Sequence, residues 1–367
     1  MPYETRQSLY RKFMQIRQRP VLAYVTSGRP NATGSIAQDA IRQFVDQLPD
    51  VDDGTQGIDL IINSFGGDGL TSWRLITMLR EYLGSEGKLT CFVPFYAFSA
   101  ATLVAVGCDE IFMHPLASLG PVDPQITVNR KEGPQQFAYE DVAAYTSFLK
   151  DEGGITEQEQ KAGLLSHLVD QIEPSLIGAW KRASMQSIVM AEKLLKLHMT
   201  GADAQKAELI AEKLSHNYFS HGHAVSRSEA RELGLRVSES DSEIESILWE
   251  LFLDFEQLMS MKEAFDPTAI YLSDPGATAL LEPPPVVNVP SNLPPQAAQQ
   301  IWSQAMAQIG TIQGPVVDFE LIHATVEGPE STSSFVTRGK IFGARQPDMN
   351  YMIGTPKLSA RWHRNYD

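Results

Sequence analysis

Two stretches decide how this chain is read: Ile61-Ile62-Asn63-Ser64-Phe65-Gly66-Gly67-Asp68-Gly69 and, one strand later, Tyr96-Ala97-Phe98-Ser99-Ala100-Ala101. Each follows an apolar run of strand length and opens a segment of helical periodicity. In the first, glycines let backbone N–H groups approach a ligand and point into one concavity, which suits an oxyanion or a phosphate. In the second, Ser99 begins a helix whose free N–H groups favour negative charge nearby. A serine at a helix start most often caps it, and glycine turns are common, so neither stretch is decisive alone. On adjacent βα units the two become informative together, since a serine beside such a turn could act as a nucleophile.

The surrounding sequence supports that placement. Val21-Leu22-Ala23-Tyr24-Val25, Ile58 to Ile62, Leu89 to Pro94 and Glu110 to Met113 read as strands. They alternate with helical segments near Ile36 to Gln47, Leu70 to Leu83 and Ala100 to Val106. Strand, turn and helix recur in three consecutive passes, the signature of a mostly parallel sheet. Past Gln125 the pattern turns helical, over Glu140 to Lys150, Glu157 to Val169 and Leu176 to Met199. Ser226-Arg227-Ser228-Glu229 is a capping box, and the acidic segment from Glu243 to Lys262 carries one apolar face, expected to dock on the main body or a second subunit. Glu282 to Pro295 is a proline-rich linker. Beyond it a helix near Gln296 to Ile309 and strand-like runs at Val316 to Val326 and Ser334 to Phe342 carry no chemical signature. The division expected is 1–262 for the α/β body with its helical extension, 263–295 for the linker and 296–367 for a small C-terminal α+β tail.

Composition narrows the function. The 367 residues hold 30 Lys and Arg against 45 Asp and Glu, a net charge of −15 that repels nucleic acid and anionic lipid. With 43% hydrophobic and 20% charged residues the chain has the make-up of a folded protein. The two cysteines, Cys91 and Cys108, lie in apolar runs and read as core residues of a reducing compartment. No run has the length or flanks of a membrane span or a secretory leader, so a cytoplasmic location is expected.

The two stretches, continued through Trp73-Arg74-Leu75-Ile76, Cys108-Asp109-Glu110-Ile111, Leu119-Gly120-Pro121-Val122-Asp123-Pro124-Gln125, Lys193 to Met199 and His221-Gly222-His223-Ala224-Val225-Ser226, resemble the serine dehydrogenase proteinase family. That family is similar to the signal peptide peptidase A branch of the Clp-protease/crotonase superfamily. The resemblance spans roughly residues 20 to 260. It implies a β/α spiral, oligomeric assembly and ATP-independent cleavage of peptide bonds in peptides or unfolded proteins, without metal or other cofactor. It also implies roles: Ser99 as nucleophile, the N–H groups of Gly67 and Ala100 as oxyanion hole, and Gly66 as the residue that permits the turn. Phe65 stands where the related motif usually has proline.

The general base is left open. The Clp branch has a histidine where this chain reads Leu119 to Pro124, with Asp123 in that stretch. The signal peptide peptidase A branch uses a helical lysine, and Gln160-Lys161-Ala162-Gly163 offers Lys161, which needs burial to lower its pKa. His221 or His223 is an alternative base, since histidine titrates near neutral pH. Asp123 is a weak base for a hydroxyl and suits a turn or the substrate groove better. His216, His221 and His223 invite a zinc reading, but no cysteine or carboxylate at ligand spacing completes it. No Gly-x-Gly-x-x-Gly follows a strand, so no nicotinamide cofactor is expected. The alternative to a serine peptidase is a catalytically silent scaffold or binding protein on the same fold.

Overall fold

The computed structural model describes residues 3–48, 57–123, 125–130, 133–155, 157–216, 222–277, 280, 282, 288–290, 292–347 and 350–365. The four apolar runs are strands: β1 (Val21–Thr26), β2 (Gly57–Asn63), β3 (Lys88–Val93) and, after the short β4 (Tyr96–Ala97), β5 (Glu110–Met113). β1, β2, β3 and β5 pair in parallel in that order. β1 and β2 are buried on both faces throughout, and β3 and β5 past their first residues, as a parallel sheet covered by helices requires.

Alternation sorts the two faces. Leu22, Tyr24, Leu60 and Ile62 pack with α2 (Ala40–Val45), α3 (Gly69–Leu83) and α4 (Ala100–Val106), through Phe44, Leu75, Leu79 and Val104 among others. Val21, Ala23, Ile61, Phe92 and Phe112 point the other way, onto α1 (Tyr3–Arg17) and α10 (Ser242–Leu258). The apolar face of the acidic helix thus docks on the main body, with Ile244, Ile247, Leu248 and Leu251 against Leu9, Tyr10 and Phe13. Cys91 and Cys108 are buried and unbridged in the first layer.

α2 is shorter than the periodicity from Ile36 predicts, because Ile36 is taken up in a parallel bridge to Gly67. Between β5 and α10 lie β6 (Ser118–Leu119), the hairpin of β7 (Gln125–Arg130) and β8 (Gly133–Ala138), helices α5 (Tyr139–Asp151), α6 (Gln158–Gln171), α7 (Pro174–Lys196) and α8 (Ala204–His216), then β9 (Val225–Ser226) and α9 (Arg227–Glu232). Ser226 Oγ accepts the Glu229 N–H and caps α9, as the capping box predicts.

After α11 (Pro267–Leu272) and α12 (Pro295–Ile309) come four strands, β10 (Ile312–Glu327), β11 (Thr332–Arg345), β12 (Tyr351–Gly354) and β13 (Lys357–Arg364). β10 pairs antiparallel with β1, so among the described residues one eight-stranded sheet runs β12-β11-β10-β1-β2-β3-β5, with β13 on β11. A buried cluster fastens this join: Arg6 donates to Asp254 at 2.7 Å and to Glu327 at 2.7 Å, and Tyr10 donates to Glu327 at 2.8 Å. The expected α/β class is therefore what the chain adopts. Among the described residues no helix is long and apolar enough to cross a membrane.

Candidate active site

β2 runs into Ser64-Phe65-Gly66-Gly67, and the backbone sews this turn to the one that carries Ser99. Ser64 N–H donates to Tyr96 O at 3.1 Å and Phe98 N–H to Ser64 O at 2.9 Å, while Asn63 Oδ1 accepts the Tyr96 N–H at 3.0 Å. The two glycines sit at φ +108 and +147, where a side chain is disfavoured. Ile36 N–H donates to Gly66 O at 2.8 Å and Asp68 N–H to Ile36 O at 2.9 Å. In a trans peptide the carbonyl and the following N–H point in opposite directions. With Gly66 O turned to Ile36, the Gly67 N–H faces away from it, and it donates no hydrogen bond among the described residues. Asp68 then caps α3, its carboxylate accepting from Leu70 N–H and the Thr71 hydroxyl.

Ser99 has φ +52 and ψ −116, a conformation that favours glycine, and a side chain held there costs roughly 1–3 kcal/mol. Its hydroxyl does not cap α4, so the commonplace reading of a helix-start serine does not apply. The strain is held in place from several sides. Phe98 is tied to Ser64, Ser72 Oγ donates to Ala100 O at 2.7 Å, and Thr102 Oγ1 lies 2.7 Å from the carbonyl oxygens of both Ala97 and Gly120. Every residue of α4 is buried, which leaves half-buried Ser99 at its open end.

The two turns meet at one point. A Cβ on Gly66 would lie 2.8 Å from Ser99 Cβ, 2.7 Å from Phe98 O and 3.1 Å from Ala100 N. A Cβ on Gly67 would overlap the Ile36 carbonyl. Ser99, Gly66, Gly67 and Ala100 are therefore brought together. Phe65, half exposed, stacks on Tyr96 at 4.1 Å and meets Phe98 edge-on at 5.8 Å, giving the site an aromatic flank. Burial pushes the Tyr96 hydroxyl pKa up to about 12, so it stays neutral there.

The base candidates scatter. Asp123 is buried just past Gly120 and Val122, whose N–H groups donate to Ala97 O at 3.0 Å and Leu214 O at 2.9 Å. That stretch therefore borders α4. Lys161 lies on α6, with its side chain outside the described residues. His221 also lies outside them. His223 is exposed and its Nε2 lies 3.2 Å from Glu229 Oε1, at the start of α9. Among the described residues no group of three or more His, Cys, Asp or Glu is arranged to hold a metal. Sequence reasoning missed Ile36, whose bridge aims the glycine turn. It sits in a remote loop, in a pattern whose periodicity predicts the start of a helix.

A family model described as ClpP-like SDH-type serine proteinase matches residues 40–133, the segment that holds both turns. An uncharacterized protein of Methanocaldococcus jannaschii is 29% identical over 218 residues, 59% of this chain and 62% of its own length. A second from the same organism is 27% identical over 195 residues, 53% of this chain and 58% of its own. The chain thus spans less than two thirds of the length of these relatives. Among solved structures, a variant of the 1510-N membrane-bound stomatin-specific protease is similar with 15% identity and a TM-score of 0.35, covering 62% of this chain and 83% of that one. Another variant of that protease, in complex with a substrate peptide, has 16% identity and a TM-score of 0.34, covering 62% and 78%. By this match, residues 40–133 are similar to the ClpP-like SDH-type serine proteinases.

Proposed function

We propose that this chain is a serine peptidase in which Ser99 attacks the scissile carbonyl and the N–H groups of Gly67 and Ala100 stabilise the tetrahedral oxyanion. The observation that carries the reading is the strained, uncapped Ser99 held against Gly66. A serine that is bound to no cap and fixed beside free backbone donors has the pre-organisation that acyl transfer needs. Gly66 permits the close approach, and Ala100 N lies on the same side of the turn.

Lys161 on α6 is the base in this reading: neutral, it takes the Ser99 proton and returns it to the leaving amine. Asp123, bordering α4, lines the groove, and His221 or His223 is the base if Lys161 is not. The chemistry needs no ATP, metal or nicotinamide, because nucleophile, base and oxyanion donors are all protein groups. Peptides or unfolded chains are the substrates, a homo-oligomer the working form and the cytoplasm its location.

Hydrolysis of a denatured protein substrate tests this. Ser99→Ala is expected to abolish turnover, and Lys161→Ala to lower it at least about a thousandfold with a shifted pH profile. Turnover unchanged in Ser99→Ala overturns the reading. An inert wild type that still binds unfolded chains favours the scaffold instead.

A further inference from the structure

Two grips hold the glycine turn, and both come from outside residues 40–133. The first starts at Thr26, the last residue of β1, buried at 1% exposure. Its hydroxyl donates to Ser64 Oγ at 2.7 Å, and Ser64 Oγ accepts the Gly66 N–H at 3.0 Å. The second is Ile36, whose N–H binds Gly66 O. The loop between them is seated on β10: Thr26 pairs with Ala324, Ser27 N–H donates to His323 O at 2.8 Å, and Gly34 N–H donates to Ser27 O at 2.8 Å. A Cβ on Gly34 would overlap His323 O, so the loop lies flat on that strand.

We propose that Thr26 is a positioning residue for the oxyanion turn, acting through Ser64 on the Gly66 amide. The inference rests on the reading of Ser99 as nucleophile. A lone serine hydroxyl rotates among rotamers and points its lone pairs accordingly. The Thr26 proton occupies one lone pair of Ser64 Oγ and leaves the other aimed at Gly66 N. With Gly66 N–H held by Ser64 and Gly66 O held by Ile36, the next peptide plane has one orientation, and the Gly67 N–H faces the side opposite Ile36. Loss of the Thr26 hydroxyl frees Ser64 and lets that plane swing, which weakens the donor where charge develops rather than where substrate binds.

The experiment measures labelling of full-length protein by an alkyl fluorophosphonate probe, resolved into the maximal rate and the half-saturating concentration. Thr26→Val keeps the shape of the side chain and removes the hydroxyl, whereas Thr26→Ser keeps the hydroxyl. The maximal rate is expected to fall roughly ten- to a hundredfold in Thr26→Val, with half-saturation within about twofold of wild type. Thr26→Ser is expected to return to within about threefold of wild type. Should Thr26→Val not fold, Ser64→Ala is read in the same way. Wild-type rates in Thr26→Val, or a loss that Thr26→Ser shares in full, overturn the positioning role and leave the peptidase reading standing. A wild type that takes no label overturns the peptidase reading and the positioning role with it.

Discussion

Gly66 and Ser99 approach so closely that a side-chain carbon on Gly66 would stand 2.8 Å from Ser99 Cβ, inside any normal contact. The neighbouring Phe98 carbonyl, at 2.7 Å from the same point, is backbone and has little room to yield. At φ +108 an L side chain also adds strain of roughly 1–3 kcal/mol. Gly66→Ala is therefore expected to displace Ser99 and to reduce peptide hydrolysis by about a hundredfold or more, while the protein stays folded. Steady-state kinetics beside a denaturation curve checks both halves.

Ser99 bears its own strain at φ +52, ψ −116, which glycine adopts freely. Ser99→Gly is expected to stabilise the fold by about 1 kcal/mol relative to Ser99→Ala while both lose activity. Paired urea titrations give the difference. A glycine variant less stable than the alanine variant contradicts it.

Arg6 is 1% exposed and lies between Asp254 and Glu327. Replacing it leaves two buried carboxylates without their cation at the junction of α1, α10 and β10. Arg6→Met is expected to cost roughly 3–5 kcal/mol in urea unfolding, the range for breaking a buried pair from one side. Burial opposes ionisation of Arg6, yet Glu327 and Asp254 outweigh it and raise its pKa, so the guanidinium stays charged at any working pH.

His198 sets a pH dependence. Its Nε2 lies 2.9 Å from Val106 O, at the end of α4, and its Nδ1 is buried without a partner among the described residues. Burial lowers its pKa from the ordinary value of 6.5, with Arg80 and Arg236 acting in the same direction and Val106 O and Asp109 against it. The unfolded chain therefore takes up the proton first as pH falls, and stability contributed by the neutral ring is complete above about 6.5 and declines below it toward the folded-state pKa. His198→Gln is expected to show a shallower loss of urea midpoint between about pH 8 and pH 5.5 than wild type. Parallel curves contradict the assignment.

Much of this was legible in the sequence because it is local. The continuously buried run Val21 to Thr26, the small-residue run Ala100 to Val106 and the capping box at Ser226 each carry their structure within a few residues. Ser99 and Gly66-Gly67 were legible for the same reason. What escaped depends on partners distant in the chain. Ile36 lies in a helix-like pattern but is claimed by Gly67, and the charged sequence of α1 gives no clear helix signal, though Arg6, Tyr10 and Phe13 on it are buried against α10 and β10. The strand-like runs near Val316 and Ser334 were readable as strands, but nothing in them announces that β10 pairs with β1. The base is the least legible part: lysine, aspartate and histidine candidates lie on separate segments, and only folding decides which one meets the Ser99 hydroxyl.

The most direct measurement is peptide mapping by mass spectrometry of the protein after reaction with a fluorophosphonate. A single adduct on Ser99, absent after heat denaturation, is the predicted result. An adduct on another serine, or peptide hydrolysis that persists while Ser99 remains unmodified, contradicts the account.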